Sequence, residues 1–208
     1  MTLHTDTLAP MKSILSAAAI LTLVWTAGAL EGQVRIHDPS TLVVCDGTYH
    51  TYGTGGTALI SEDGWTWQRG VTPARRGMAP DAIHLGDRYC LYIARNVGAQ
   101  PRADINMIWS RSLDPDSPAY KWEEGGVVAS SDGVEDCNAI DPGVFLDPND
   151  GRLWLVYGSY FGYIRLVELD PKTSQRIDQL PDGAWRFMPK SVPNTKEPLA
   201  LSTLRRIP

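Results

Sequence analysis

The feature of this sequence that most constrains its fold is a unit that occurs three times. Each unit begins with an aspartate next to a proline, continues into an apolar run and a glycine turn, and ends in an aromatic-rich run. The three aspartates are Asp38, Asp81 and Asp141. A β-unit that is repeated around an axis brings equivalent strand ends together, so aspartates far apart in the sequence can line one pocket.

Short strands separated by turn residues account for most of the chain. Runs rich in β-branched and aromatic residues are divided by Asp-Gly and Gly-Asp turns. The predicted strands cover residues 42–45, 49–53, 58–61, 83–85, 89–94, 105–110, 144–146, 153–158 and 164–168. We read residues 113–138 as an elaborated loop. This pattern predicts an all-β protein, built as a propeller, a barrel or a sandwich.

The N-terminus has the layout of a secretory signal peptide. Lys12 precedes an apolar run, and Ala27-Gly28-Ala29 provides small residues for cleavage. We therefore predict a signal peptide over residues 1–29, with Met11 as an alternative start and an uncleaved anchor as the other reading. The mature protein is then secreted or periplasmic and has no membrane contact. With a net charge of -5, nothing favours a nucleic-acid partner.

Two of the aspartates suit hydrolysis of a glycoside with inversion, which needs a base and an acid about 6.5–9.5 Å apart. Asp38 is the candidate base because Pro39 restricts its backbone. Asp141 also precedes a proline, in apolar surroundings where a carboxylate perturbs the pKa of its neighbours. Asp-Pro pairs are also common turn formers, and this alternative stays open for each pair.

Aromatic side chains provide the flat surfaces on which sugars stack. Tyr160 and Phe161 are the candidates, because they follow the Asp141 unit in a turn, whereas most other rings are expected to pack in the core. Residues 61–67 resemble the Asp-box turn of sialidase propellers, although an ordinary hairpin is the reading we favour. The histidines show no metal-ligand spacing, and the sequence has no P-loop or dinucleotide motif, so we expect no metal or cofactor.

The blocks around the two Asp-Pro pairs resemble glycoside hydrolase family 43, the arabinanase, arabinofuranosidase and xylosidase group. Residues 35–40, 138–145 and 151–159 carry this resemblance. It implies a five-bladed β-propeller, of which residues 30–174 would form about three blades. Residues 175–208 would be a divergent tail, and the chain would be truncated at its C-terminus.

The resemblance also implies roles for individual residues. Asp38 would be the general base, and Asp141 would set the pKa and orientation of the general acid. Asp81, Asn138 and Ser159 would contact the sugar. The implied reaction is inverting hydrolysis of α-1,5-L-arabinan or a related plant polysaccharide, so the partner would be a polysaccharide or oligosaccharide.

The family's general acid has no clear match in this sequence. Glu197 is the candidate, although the surrounding Thr-Lys-Glu-Pro differs from the family's context. The histidine of a later blade that holds a central ion in many relatives is also not found. The alternatives to an active glycosidase are therefore an inactive fragment, a sugar-binding remnant of the same family, or a sialidase-like propeller.

Overall fold

The chain folds into β-sheets throughout its described part. The computed structural model describes residues 29–97, 102–131, 138–158 and 164–177. Within these ranges the chain forms twelve strands and one 3-10 turn, Thr54–Gly56. The strands make three sheets that follow one another along the chain, which confirms the all-β prediction. None of the described residues forms a helix with the length and apolar character needed to cross a bilayer.

The first sheet has five strands in the order β1-β5-β4-β3-β2. Its strands are β1 (Glu31–Gly32), β2 (Val43–Cys45), β3 (Thr48–Gly53), β4 (Thr57–Ser61) and β5 (Thr66–Arg69). Strands β2 to β5 pair antiparallel, and β1 joins the outer edge of β5 in parallel. Strands β1 and β5 are not among the strands predicted from the sequence.

The second sheet has four strands in sequence order, all antiparallel. Its strands are β6 (Met78–Leu85), β7 (Arg88–Asn96), β8 (Ala103–Ser110) and β9 (Glu123–Ser131). The prediction of a loop over residues 113–138 was wrong, because β9 occupies nine of those residues. The first four residues of β9, Glu-Glu-Gly-Gly, interrupt the alternation of apolar and polar residues by which a strand is identified in a sequence. The register of β9 with β8 also shifts twice.

The third sheet has three antiparallel strands in sequence order. Its strands are β10 (Gly143–Leu146), β11 (Leu153–Tyr157) and β12 (Arg165–Leu169). Every predicted strand therefore corresponds to an observed one. That these three sheets are propeller blades, and that the full propeller has five, stays a prediction.

Two hydrophobic cores lie on either side of the second sheet, and β7 contributes to both. Tyr89, Leu91 and Ile93 pack with residues of the first sheet. Cys90 and Tyr92 belong instead to the core shared with the third sheet. Since successive side chains of a strand point to opposite faces, burial of both faces explains why β7 is a continuous apolar run.

Candidate active site

At three neighbouring places the residue before a proline takes a positive φ: ahead of β2, in the first residues of β6, and ahead of β10. We call them the leading turns. Asp38, Ala79 and Asp141 have φ values of 50°, 38° and 55°, and each of these residues directly precedes a proline. A positive φ is uncommon for residues other than glycine and costs about 1–3 kcal/mol. The strand β6 contacts both β2 and β10, so the three leading turns are neighbours.

The middle leading turn corrects the sequence alignment of the three units. The sequence pairs Asp81 with Asp38 and Asp141, but the residue in the equivalent conformation is Ala79. Asp81 lies two positions further on, after an irregularity in the pairing of β6 with β7. Two of the three leading turns therefore present a carboxylate at the equivalent position.

The carboxylate of Asp38 is held by two neighbouring side chains. Its Oδ2 accepts a hydrogen bond from the Thr54 hydroxyl at 2.7 Å and lies 2.9 Å from Nδ1 of His37. Thr54 Oγ1 in turn accepts the backbone N–H of Ala79 at 2.8 Å. The Asp38 side chain remains 42% exposed, so it is oriented by these contacts and still open to solvent.

Thr54 is the residue that sequence reasoning missed. It stands directly after β3, and its own backbone N–H donates to the carbonyl oxygen of His37 at 2.9 Å. Its hydroxyl connects the first leading turn to the second. The only signal in the sequence is a hydroxyl residue at the end of an aromatic-rich strand, and this does not identify its partners.

Gly53 brings the end of β3 against the first leading turn. A Cβ at this position would lie 2.5 Å from Cγ1 of Ile36 and 2.7 Å from the carbonyl oxygen of His37. Distances this short exclude a side chain without movement of the neighbouring atoms. The glycine is therefore needed for the close packing that places Asp38.

Asp141 is exposed in the third leading turn, which is anchored from both sides. The backbone N–H of Gly158, at the end of β11, donates to the carbonyl oxygen of Ile140 at 2.9 Å. Asn138 is fully buried, and its Oδ1 accepts a bond from Ser131 Oγ at 3.4 Å. Its observed contact is structural, and the contact with a sugar stays a prediction.

Asp81 is buried between the first and third leading turns. Only 8% of its surface is exposed. Its Oδ1 accepts the backbone N–H of Thr41 at 2.9 Å, and its Oδ2 accepts that of Val144 at 2.7 Å. Both oxygens are thus bonded to backbone, and a direct contact with sugar also stays a prediction for this residue.

The remaining candidates cannot be placed in the site. Ser159, Tyr160, Phe161 and Glu197 lie outside the described residues. In the described ranges no group of three His, Cys, Asp or Glu side chains is placed to hold a metal ion.

The Asp-box-like turn forms a hairpin between β4 and β5. Oδ1 of Asp63 accepts the backbone N–H groups of Trp65 and Thr66, each at 2.7 Å, and the hydroxyl of Ser61 at 2.9 Å. The Thr66 and Trp65 N–H groups, together with the Ser61 hydroxyl, hold the pKa of Asp63 well below its usual range. The carboxylate thus serves to close the turn.

The chemistry available at the leading turns comes from two separate carboxylates. Asp38 leads into the first sheet and Asp141 into the third, and both are exposed. When ionised, each is a pure hydrogen-bond acceptor. Such a pair can activate a water molecule and influence the protonation of a third acid, which is the chemistry of a glycoside hydrolase.

Comparison with known proteins also indicates a glycoside hydrolase. The sequence profile of glycosyl hydrolases family 43 matches residues 33–187. The match covers most of the chain and includes all three leading turns, and the chain belongs to this family.

Among its relatives is the extracellular exo-alpha-(1->5)-L-arabinofuranosidase ArbA of Cellvibrio japonicus. The two are 32% identical in an alignment of 176 positions that covers 76% of this chain and 50% of the relative. The extracellular endo-alpha-(1->5)-L-arabinanase of Thermotoga petrophila is 30% identical and is matched over 66% of this chain and 36% of its own length. The chain thus spans half or less of these curated relatives.

Solved structures give the same result. The GH43 endo-arabinanase from Bacillus licheniformis superposes with a TM-score of 0.62 at 28% identity, over 71% of this chain and 56% of that one. The Cellvibrio cellulosa alpha-L-arabinanase complexed with arabinohexaose gives 0.62 at 26% identity, over 76% and 55%.

Proposed function

We propose that this chain acts in the inverting hydrolysis of α-1,5-linked L-arabinan, as part of an exported enzyme. The observation that carries the proposal is the pair of carboxylates, Asp38 and Asp141, which have matching positive φ values and lie on either side of the second sheet. The arabinan substrate is supported by the relatives, which are named arabinanases and arabinofuranosidases. Export is supported by the predicted signal peptide and by the word extracellular in both names.

Asp38 is the general base in this proposal. Among the described residues its contacts with His37 and Thr54 are both made through Oδ2, which leaves Oδ1 to accept the proton of an attacking water. The Thr54 bond fixes the orientation of the carboxylate, whose side chain is 42% exposed. A positioned base of this kind contributes about 10²–10⁴-fold to a rate.

Asp141 acts on the general acid rather than on the water. A second carboxylate near an acid disfavours the ionised form of that acid and so raises its pKa. The acid then keeps its proton until the leaving oxygen takes it. Glu197 is the candidate acid in this chain.

The second candidate function is sugar binding without turnover. It is favoured by the context of Glu197, which does not match that of the family's acid. The two functions share the leading turns and differ only in whether the glycosidic bond is broken.

The test uses the full chain with linear arabino-oligosaccharides, followed by proton NMR of the anomeric signals. Inverting hydrolysis of an α-linkage gives the β-anomer first. Asp38→Asn should lower kcat by about 10²–10⁴-fold. The matched control is Asp87→Asn, which makes the same change of charge in the turn between β6 and β7.

Three outcomes separate the candidates. Hydrolysis that is lost in Asp38→Asn and kept in the control supports the enzyme. Oligosaccharide binding without hydrolysis supports the binding function. Hydrolysis that is unchanged in Asp38→Asn refutes the role given to Asp38.

A further inference from the structure

We propose that Asp81 is a positioning residue that holds Asp38 and Asp141 at a fixed separation, an inference that rests on the proposed function. Its carboxylate lies between the first and third leading turns and bonds to the backbone of each. It does so from the middle sheet, whose own leading turn has Ala79 at the position of the two carboxylates.

The two partners of Asp81 occupy equivalent positions. Thr41 follows Asp38 by three residues, and Val144 follows Asp141 by three residues. Their backbone N–H groups lie 2.9 and 2.7 Å from the two oxygens of one carboxylate. The Asp81 side chain thus bonds to equivalent positions in the first and third leading turns, although its partners are 40 and 63 residues away in the sequence.

The burial of Asp81 makes this connection rigid. The Val144 bond is buried and the Thr41 bond is partly buried, so water competes poorly for either. Carboxylate oxygens accept backbone N–H groups in strong, short hydrogen bonds. Any change in the distance between the first and third leading turns must stretch at least one of these bonds.

The proposed mechanism depends on that distance, because Asp38 must face the attacking water while Asp141 stays beside the general acid. The water must fit between the base and the sugar, and reacting groups tolerate displacements of only about 0.5 Å. A displacement of about 1 Å costs roughly 10²-fold in rate. Asp81 acts through the placement of Asp38 and Asp141, without contact with the reacting atoms.

The decisive variant is Asp81→Asn in the full chain. An asparagine replaces one oxygen with an NH₂ group, so one backbone N–H would face another donor. We expect kcat on arabino-oligosaccharides to fall by about 10- to 100-fold with little change in KM. A direct contact between Asp81 and the sugar would instead raise KM, and that outcome overturns the positioning role.

A second readout does not depend on activity. Amide hydrogen exchange, followed by NMR, should accelerate at both Thr41 and Val144 in Asp81→Asn. Acceleration at both supports the connection even if the wild-type chain hydrolyses nothing, a result that would refute the proposed function alone. Wild-type exchange at either amide, or an unchanged kcat in an active chain, overturns the proposal.

Loss of stability is controlled with Leu85→Ala. Leu85 is buried at the opposite end of β6, so this truncation destabilises the same strand away from the leading turns. Leu85→Ala should leave kcat unchanged. The amide exchange rate at Thr41, relative to the rates in the rest of the sheet, should also be unchanged. An equal loss of kcat in Leu85→Ala and Asp81→Asn would show that stability alone explains the effect and would overturn the positioning role.

Discussion

Replacement of Gly53 by alanine tests whether the first leading turn is held in place by close backbone packing. The added Cβ would lie 2.5 Å from Cγ1 of Ile36 and 2.7 Å from the carbonyl oxygen of His37. Ile36 can change its rotamer, but the carbonyl belongs to the backbone that leads into Asp38. We therefore expect Gly53→Ala to displace the base as well as to destabilise the protein.

The size of both effects follows from these distances. Contacts of a Cβ are ordinary from 3.4 Å upward, so the carbonyl oxygen of His37 has to withdraw by about 0.7 Å. Overpacking of this kind costs about 1–3 kcal/mol, which corresponds to roughly 2–12 °C in Tm for a chain of this size. If Asp38 follows the carbonyl, kcat should fall by about 10- to 100-fold.

Gly47→Ala provides the matched control. Gly47 lies in the turn between β2 and β3, at the opposite end of β3 from Gly53. A Cβ there meets no atom within 4 Å, but its φ of +83° makes alanine unfavourable by about 1–2 kcal/mol. The control should therefore lose stability and retain kcat.

The measurements are thermal unfolding by circular dichroism and initial rates of oligosaccharide hydrolysis for both variants. A Gly53→Ala protein with wild-type Tm and wild-type kcat would refute the packing argument. Equal losses of kcat in both variants would show that activity follows stability, without any specific displacement of Asp38.

Two further predictions concern hydrogen bonds. Thr54→Val removes the hydroxyl that orients Asp38 and should lower kcat by about tenfold, with Thr54→Ser restoring it; equal rates in both variants would contradict this role. Asp63→Asn should lower Tm at neutral pH, because the bonds from Thr66 and Trp65 stabilise the ionised carboxylate. Since the pKa of Asp63 is lowered in the folded state, this stabilisation is complete above the unfolded pKa of about 3.9 and declines as the pH falls below it. The Tm difference between wild type and Asp63→Asn should therefore shrink on acidification. A difference that grows as the pH falls would contradict this prediction.

The strands could be predicted from the sequence because both of their physical signals are local. Alternation and aromatic or β-branched content identify most of the strands, including β7 with its two buried faces. The strand β9 has two glycines and two shifts of register, so its alternation is interrupted. What supports β9 is its pairing with β8, which local composition does not reveal.

The carboxylates of the site could also be predicted, but the way they are held could not. Asp38 and Asp141 stand out through the prolines that follow them. The equivalence of Ala79 depends on a positive φ that the sequence does not show. The contacts of Thr54 and Asp81 join residues that are 16 to 63 positions apart, and only the assembled sheets bring them together.

The position of β7 between two cores has a consequence for how such a chain can evolve. From Tyr89 to Ala94, each residue of β7 is buried, and neighbouring residues face different cores. A surface strand has every second position free to accept a polar residue, whereas β7 has no such position. Substitutions elsewhere in the chain affect one core and can be accommodated there. A polar substitution at any of these six consecutive sites of β7 damages one core, and a shift of register damages both. The sequence of β7 should therefore diverge more slowly than that of any strand with an exposed face.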